Sequence, residues 1–200
     1  MKNEERLKKQ LDFILEADKE KNIFRQTHLS GHGRRENDAE HAWHMAIMSY
    51  LLREYANEEI DLAKTMMMIL IHDIVEIDAG DTYAYDPDPA RKGSQREREE
   101  KAAERLFGLL PEDQAAELRG LFEEFEANVT PEARFAKTMD NFQPMLLNHS
   151  NGASDWRDRG VKRSQVLERN KNTGKGSAEL WEYMRGIIEE HTKNGDLREE

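Results

Sequence analysis

The sequence predicts an all-α fold, and three observations support this prediction. Apolar residues recur at helical spacing, beginning with Leu7 and Leu11 near the N-terminus. Helix-start signals precede several such stretches. The strongest is Thr130-Pro131-Glu132, which combines a capping hydroxyl, a first-turn proline and an acidic side chain at the positive end of the helix dipole. No segment of useful length shows the two-residue period of a strand.

Capping signals divide the first half of the chain. The first helix is expected to bury an apolar stripe and to end near Lys21, and a loop rich in Gly, His and Arg follows it. Asn37 starts the second helix, with Glu40 completing a capping box. Asp61 caps the central helix, and Gly80 ends it. The buried side of the second helix is expected to carry Trp43, Ala46, Ile47, Tyr50 and Leu51.

The second half of the chain contains further helix starts. Ser94 and Glu97 form a second capping box that opens a helix to about Leu109, and Pro111 begins the next helix. Two more helices are expected near the C-terminus. The remaining expectations concern ranges: loops over residues 82–94 and 148–160, helices around 161–170 and 177–191, and a frayed tail over residues 193–200.

Composition limits the classes of function. The 200 residues are expected to form a single domain, with a metal-site core over about 22–150 and a helical extension over about 155–195. Its net charge of −11 disfavours duplex nucleic acid and anionic membranes as partners. The chain contains no cysteine, which excludes disulfides and thiolate metal sites. No secretory apolar region or run of about 20 apolar residues occurs, so we expect a soluble, cytoplasmic protein.

The central helix places polar groups in an apolar segment. Residues 66–81 read MMMILIHDIVEIDAGD, an apolar run that contains His72, Asp73 and Glu76. A segment without a polar face is normally buried. A buried, isolated carboxylate loses several kcal/mol of hydration unless it finds a partner. A metal ion is such a partner, although a His-Asp dipeptide alone also fits a hydrogen-bonded core histidine.

Four side chains are candidate metal ligands: His41, His72, Asp73 and Asp140. Asp140 lies on the Thr-Pro helix, four residues before Pro144, where the lost backbone hydrogen bond predicts a kink. Two imidazoles and two carboxylates suit one divalent transition metal ion, namely Mn²⁺, Co²⁺, Fe²⁺, Ni²⁺ or Zn²⁺, better than Ca²⁺.

These residues occur in a recognisable order. The segment ENDAEH at residues 36–41 is followed by HDIVEIDAGD at residues 72–81 and by a lone Asp140. This order resembles the HD-domain metal-dependent phosphohydrolases, and more narrowly their 5′-deoxynucleotidase-like branch, over roughly residues 10–150. The resemblance implies that the four candidate ligands bind the metal ion, in a helical HD-domain bundle with additional C-terminal helices.

The resemblance also implies roles for three other side chains. Glu76 and Asp81 match the positions that handle the attacking water and the hydrogen bonds on the phosphate side. A carboxylate near a metal ion can take the proton of the attacking water. Arg25 matches the arginine that contacts the phosphate through paired hydrogen bonds. Gln26 follows it, where the family usually has an aromatic residue.

The function that the resemblance implies is hydrolysis of nucleoside or deoxynucleoside 5′-monophosphates by a metal-bound water. The attack would be in line with the leaving ribose oxygen, and the enzyme is expected to be a homodimer. Alternatives are a hydrolase of nucleoside triphosphates or alarmones, and a metal-dependent nucleotide sensor without turnover. A di-iron oxygenase on the same fold would need further histidines between His72 and Asp140, and the sequence has none there.

Overall fold

The computed structural model describes residues 2–85 and 89–199, and they form a mostly helical bundle. The predicted all-α class is confirmed. The helices are α1 (Lys2–Ala17), α2 (Asp38–Leu52), α3 (Leu62–Ile71), α4 (Glu76–Ala79), α5 (Pro89–Phe107), α6 (Glu112–Ala127), α7 (Pro131–Ser150), α8 (Ser154–Arg159), α9 (Arg163–Asn170) and α10 (Ala178–Lys193). Short 3-10 turns cover Asp18–Asn22, Arg53–Tyr55 and Thr173–Lys175. None of the described helices is long and apolar enough to cross a membrane.

Local capping signals predicted three helix starts correctly. Asn37 and Glu40 form the capping box of α2. Asp61 accepts a hydrogen bond from the backbone N–H of Lys64 at the start of α3. Thr130 caps α7 in the same way. Each cap satisfies a backbone N–H that has no partner inside its helix, and so fixes where the helix begins.

The loop predicted before α2 is in part a β-hairpin. Strands β1 (Phe24–His28) and β2 (Arg35–Asn37) pair antiparallel, with Phe24 opposite Asn37. The strands are short and their register is irregular, so the sequence carries no two-residue period. The hairpin brings β1, which contains Arg25, next to the start of α2.

Helix α7 lies at the centre of the bundle, where it packs against α2, α3, α6 and α10. Its buried apolar side chains include Phe135, Met139, Phe142 and Met145. They share one core with Trp156 of α8, Val166 of α9 and Met184 of α10. A second core lies between α1, α5 and α6, and includes Ile74 and Val75. The C-terminal helices therefore complete the core around α7.

The central helix is interrupted at the His-Asp pair, where we expected it to continue. Helix α3 ends at Ile71, and the following backbone forms hydrogen bonds three residues apart, including Glu76 N–H to Asp73 O at 2.8 Å. Because side chains three residues apart eclipse in such a segment, Asp73 and Glu76 share a face. Gly80, with φ of 72°, ends the short α4.

Three further segments differ from the expectations. Where a loop over residues 148–160 was predicted, α7 continues to Ser150 and α8 covers Ser154–Arg159. Ser94 lies inside α5 and does not cap it, because the helix already begins at Pro89. The predicted loop over 82–94 includes residues 86–88, which lie outside the described residues. The C-terminal tail is also docked where we expected fraying. Leu197 is buried, and Arg198 exchanges backbone hydrogen bonds with Val161 and Arg163.

Several apolar side chains predicted to be buried lie on the surface. On α2, Trp43, Ile47, Tyr50 and Leu51 are each at least 45% exposed. Among the α1 side chains whose burial is described, only Phe13 is buried, and the apolar stripe expected to be buried, which comprises Leu7, Leu11, Ile14 and Leu15, is exposed. Helical periodicity identifies an apolar face, but it does not say whether that face packs inside the chain or remains on its surface.

Candidate metal centre

His41, His72 and Asp140 converge from three separate helical segments. His41 lies in the second turn of α2, His72 directly follows α3, and Asp140 lies in the middle of α7. The Nε2 atom of His41 is 3.3 Å from Oδ1 of Asp140, and Nε2 of His72 is 3.8 Å from the same oxygen. The three ligand-type atoms lie within 4.8 Å of one another, and all three side chains are buried. A single ion could contact all three.

Hydrogen bonds orient both imidazoles toward that point. His72 directs Nδ1 at the backbone oxygen of Ile69 at 2.7 Å, and His41 directs Nδ1 at Oε1 of Gln143 at 2.9 Å. Each ring therefore turns Nε2 toward Asp140. Nε2 of His72 is buried and makes no hydrogen bond to any described residue. A buried imidazole nitrogen that makes no hydrogen bond and lies beside a second imidazole and carboxylates fits a metal ligand.

Gln143 is a supporting residue that the sequence reasoning missed. Its Nε2 donates to Oε1 of Glu36 at 2.6 Å while its Oε1 faces His41. Glu36 is 1% exposed and adds negative charge behind the His41 ring. The signal in the sequence is spacing, because Gln143 follows Asp140 by three residues and shares its helix face.

Protonation of the metal-free site follows from these contacts. Burial and Arg25 lower the pKa of His41, but Asp140 and Glu36 outweigh them and raise it to about 9. Burial raises the pKa of Asp140, but hydrogen bonding to His41 holds that pKa well below its ordinary value. An ion bound here must displace the proton of His41, so metal affinity rises with pH below about 9.

Asp73 lies beside this group and bridges it to Arg25. Its Oδ2 atom is 3.0 Å from Nε2 of His72 and accepts a hydrogen bond of 2.6 Å from Nη1 of Arg25. Arg25 also donates to Asp38 at 3.2 Å. Burial raises the pKa of Asp73, but His72 and Arg25 outweigh burial and lower it. Asp73 is therefore an anion within reach of the His72 nitrogen.

Glu76 and Asp81 line the cavity onto which this group opens, and the cavity has a volume of about 420 Å³. Glu76 is buried, and its Oε2 makes no hydrogen bond within the described part of the chain. Burial first, and then the charges of Asp73 and Asp38, raise the pKa of Glu76 to about 11. The metal-free chain therefore holds a proton on Glu76 at neutral pH.

The cavity wall adds cations and aromatic rings that the sequence did not reveal as site residues. Lys137 and Arg169 join Arg25 on the lining, and Nη2 of Arg169 is 3.4 Å from Oδ2 of Asp140. Tyr83 and Tyr85 line the same cavity with their rings edge to face at 5.4 Å. These side chains add three cations and two aromatic rings to a cavity whose lining also carries several carboxyl groups, namely Asp73, Glu76, Asp81, Glu99, Glu126, Asp140 and Asp155.

The comparisons agree with this arrangement. The family model described as HD domain matches residues 17–181. The chain belongs to the HD-domain family. A crystal structure of a predicted metal-dependent phosphohydrolase from Magnetospirillum magnetotacticum MS-1 is 47% identical, covers 98% of this chain and 97% of that chain, and superimposes with a TM-score of 0.91. The resemblance to HD-domain metal-dependent phosphohydrolases is thus confirmed.

Similarity to two other relatives is more distant. The 5′-deoxynucleotidase HDDC2 of Homo sapiens is 32% identical over 113 residues, which is 56% of this chain and 53% of the relative. The chain thus spans about half of the length of the curated relatives it matches. A conserved hypothetical protein from Pyrococcus furiosus is 27% identical with a TM-score of 0.61, over 92% of this chain.

Of the predicted site residues, the HD domain brings His41, His72 and Asp140 into one compact group. It brings Asp73 and Arg25 together as an ion pair at the edge of that group, and it positions Glu76 and Asp81 on the cavity wall. Their roles stay predictions. The family match also extends beyond the segment of resemblance and includes α8 and α9.

Glu20 provides a test of the electrostatics around this site. It is 8% exposed, and burial followed by repulsion from Asp73 raises its pKa to about 7. The folded pKa lies above the unfolded value of about 4.5. Ionisation of Glu20 therefore lowers the free energy of unfolding as pH rises from 4.5 to 7; the loss is absent below pH 4.5 and complete above pH 7. Glu20→Gln should therefore stabilise metal-stripped protein by up to about 3 kcal/mol at pH 8.

Urea unfolding of both proteins at pH 8 and at about pH 4 measures this difference. The Glu20→Gln gain should disappear at the lower pH, where wild-type Glu20 is neutral in both states. Asp12→Asn, an exposed carboxyl on α1, is the control and should change little at either pH. A gain of equal size at both values would show that the effect does not arise from the Glu20 charge.

Proposed function

We propose that this HD domain is a divalent-metal-dependent phosphohydrolase that acts on nucleoside or deoxynucleoside 5′-monophosphates. The observation that carries the proposal is the buried group of His41, His72 and Asp140, which opens onto a cavity lined by Arg25 and other cations. The similarity to 5′-deoxynucleotidases over part of the chain supports the nucleotide as the substrate class.

In this proposal His41, His72 and Asp140 hold one ion of Mn²⁺, Co²⁺, Fe²⁺, Ni²⁺ or Zn²⁺, and Asp73 is the fourth protein ligand. The donor set of two nitrogens and two carboxylates suits these ions. When bound, the ion supplies Lewis acidity, which polarises a phosphoryl oxygen and lowers the pKa of water. Asp73 would then exchange part of its contact with Arg25 for the ion.

The remaining residues divide the work of binding and proton transfer. Glu76 takes the proton of the attacking water, and Asp81 makes the hydrogen bonds on the phosphate side. Arg25 binds the phosphate, since its guanidinium already lines the cavity beside Asp73. Lys137 of α7 and Arg169 of α9 add positive charge to the cavity wall. Tyr83 and Tyr85 of the cavity wall offer a surface on which the base can stack. This chain has Gln26 where the family usually has an aromatic residue after the arginine.

The experiment is phosphate release from a panel of ribo- and deoxyribonucleoside 5′-monophosphates and simple esters. Metal-stripped protein is resupplied with Mn²⁺, Co²⁺ or Zn²⁺, and Asp73→Ala is the inactive control. Nucleoside triphosphates belong in the panel because Lys137 and Arg169 could bind additional phosphates. We expect metal-dependent release from monophosphates that is lost in Asp73→Ala. Ion binding without release from any compound would favour a sensor and contradict the proposal.

We also propose that residues 1–200 form one HD domain and that it assembles as a homodimer. The C-terminal helices share the α7 core, which supports a single folding unit. Helix α2 presents Trp43, Ile47 and Leu51 at the spacing of one helix face, and all three are exposed. The adjacent α3 exposes Met67 and Leu70. An apolar face of this kind is typical of a contact between copies.

Ile47→Asp should convert the dimer to monomers, because a charge at the centre of an apolar interface loses its hydration without gaining a partner. Light scattering coupled to size-exclusion chromatography measures the mass. Val129→Asp is the matched control, since Val129 is 61% exposed and lies between α6 and α7. A wild-type mass equal to one chain would contradict the dimer, and an Ile47→Asp dimer would contradict this interface.

A further inference from the structure

A second group of ligand-type side chains lies at the C-terminal end of α7. His149 follows Asp140 by nine residues, which places it about 13 Å further along the helix axis. It meets Glu190 and His191 of α10. One ligand-type atom from each of these three side chains lies within 4.8 Å of the other two. The group shares no residue with the metal centre around His41.

The His191 ring is held in the orientation of a metal ligand. It is 4% exposed, and its Nδ1 atom is 2.9 Å from Oδ2 of Asp196. Arg157 donates to Oδ1 of the same carboxylate at 2.6 Å, which keeps Asp196 ionised and fixed. Trp156 packs edge to face against the ring, with centroids 5.7 Å apart. A carboxylate that accepts from Nδ1–H leaves the Nε2 of His191 without a proton, which is the form of imidazole that binds a metal ion.

The Nε2 atom of His191 points at the second imidazole. Nε2 of His191 is 2.9 Å from Nδ1 of His149, so the two rings share one proton. The His191 ring is the one held in place by its other contacts. Tetrahedral Zn²⁺ has Zn–N distances of about 2.0–2.1 Å, which require the two nitrogens to be about 3.3 Å apart. An opening of about 0.4 Å therefore admits an ion. His149 is half-buried and Glu190 is exposed, so both can make this adjustment.

We propose that His149, Glu190 and His191 form a second transition-metal site, selective for Zn²⁺ over Ca²⁺ or Mg²⁺. Two imidazoles and one carboxylate are the donor set that Zn²⁺ takes with a solvent molecule in the fourth position. The site joins the end of α7 to α10, and through Asp196 it joins both to the C-terminal tail. Its role is to fasten the C-terminal helices onto the helix that carries Asp140. It is independent of the proposed hydrolysis.

The test is the number of Zn²⁺ ions bound by tag-free protein, measured by equilibrium dialysis and elemental analysis. We expect two ions per wild-type chain and one in His149→Gln. We also expect one in His72→Ala, which retains the second site. Asp196→Asn should weaken the second site about 10- to 100-fold by releasing the His191 ring. Glu190→Gln should weaken it as well, whereas Glu189→Gln, the adjacent exposed carboxyl, should not.

Co²⁺ offers a second readout with its own control for folding, because a variant that loses the band of one site but keeps the band of the other has retained its fold. Tetrahedral Co²⁺ absorbs strongly in the visible range, and the band assigned to the second site should remain in His72→Ala and disappear in His149→Gln. One ion per wild-type chain, lost in His72→Ala and retained in His149→Gln, would overturn the proposal. Two ions that are both retained in His149→Gln and Glu190→Gln would overturn it equally, leaving a simple histidine–histidine hydrogen bond.

Discussion

His72→Ala should reduce metal-dependent phosphate release at least about 1,000-fold, because the ion loses one of its proposed ligands. His72 contributes one of three buried atoms that converge, and its Nε2 makes no other hydrogen bond to a described residue. Losing a Lewis acid removes several kcal/mol of transition-state stabilisation, and about 4 kcal/mol corresponds to this factor.

Two further variants separate loss of the ion from loss of the fold. The His72 ring packs against Phe125 with centroids 4.9 Å apart, so alanine also leaves a gap in the core. His72→Gln keeps most of the volume and should show the same loss of activity with a smaller loss of stability. His32→Asn, an exposed histidine in the hairpin turn, is the control and should retain activity. Metal content and turnover within tenfold of wild type in both His72 variants would exclude this residue as a ligand.

How far the sequence predicted this site depends on the range of each interaction. The caps at Asn37 and Asp61 involve residues three positions apart, so the local sequence is enough to identify them. The group of His41, His72 and Asp140 was predicted from the order of the motif, and the three side chains do converge in the fold. Long-range partners were not predictable. Gln143 reaches Glu36 across 107 positions, and no local pattern encodes that contact.

Burial was the least predictable property. The same apolar periodicity produced a buried stripe on α7 and an exposed one on α2, since only the neighbouring elements decide which face is covered. The interruption after Ile71 was also missed, because the change from four-residue to three-residue hydrogen bonding leaves no mark in residue type. The three-residue hydrogen bonding places Asp73 and Glu76 on one face of the segment, and both line the cavity with His72.

Glu76 is the proposed acceptor of the proton from the attacking water, and Glu76→Gln tests this role. We expect kcat to fall about 100- to 10,000-fold with the ion still bound, because an amide cannot accept the proton of the attacking water. Metal content and turnover are measured on the same preparation. Glu99→Gln is the matched control: Glu99 lines the same cavity, but its Oε1 accepts from Gln95 at 2.7 Å. Loss of the ion in Glu76→Gln would make Glu76 a ligand instead of a base.

The free energy of unfolding gives an independent test of the protonation state of Glu76. Burial and the Asp73 charge raise the pKa of Glu76 to about 11, so the metal-free fold retains a proton that the unfolded chain releases above pH 4.5. Wild-type stability should therefore decline as pH rises, and Glu76→Gln should be more stable than wild type by about 3 kcal/mol at pH 7. Positive charge from a bound ion favours the carboxylate and should shrink this difference. The site would then stabilise the Glu76 carboxylate only when the ion is bound, so that Glu76 can accept a proton only in the metal-loaded protein. If the stability difference between Glu76→Gln and wild type is the same with and without the ion, this coupling is ruled out.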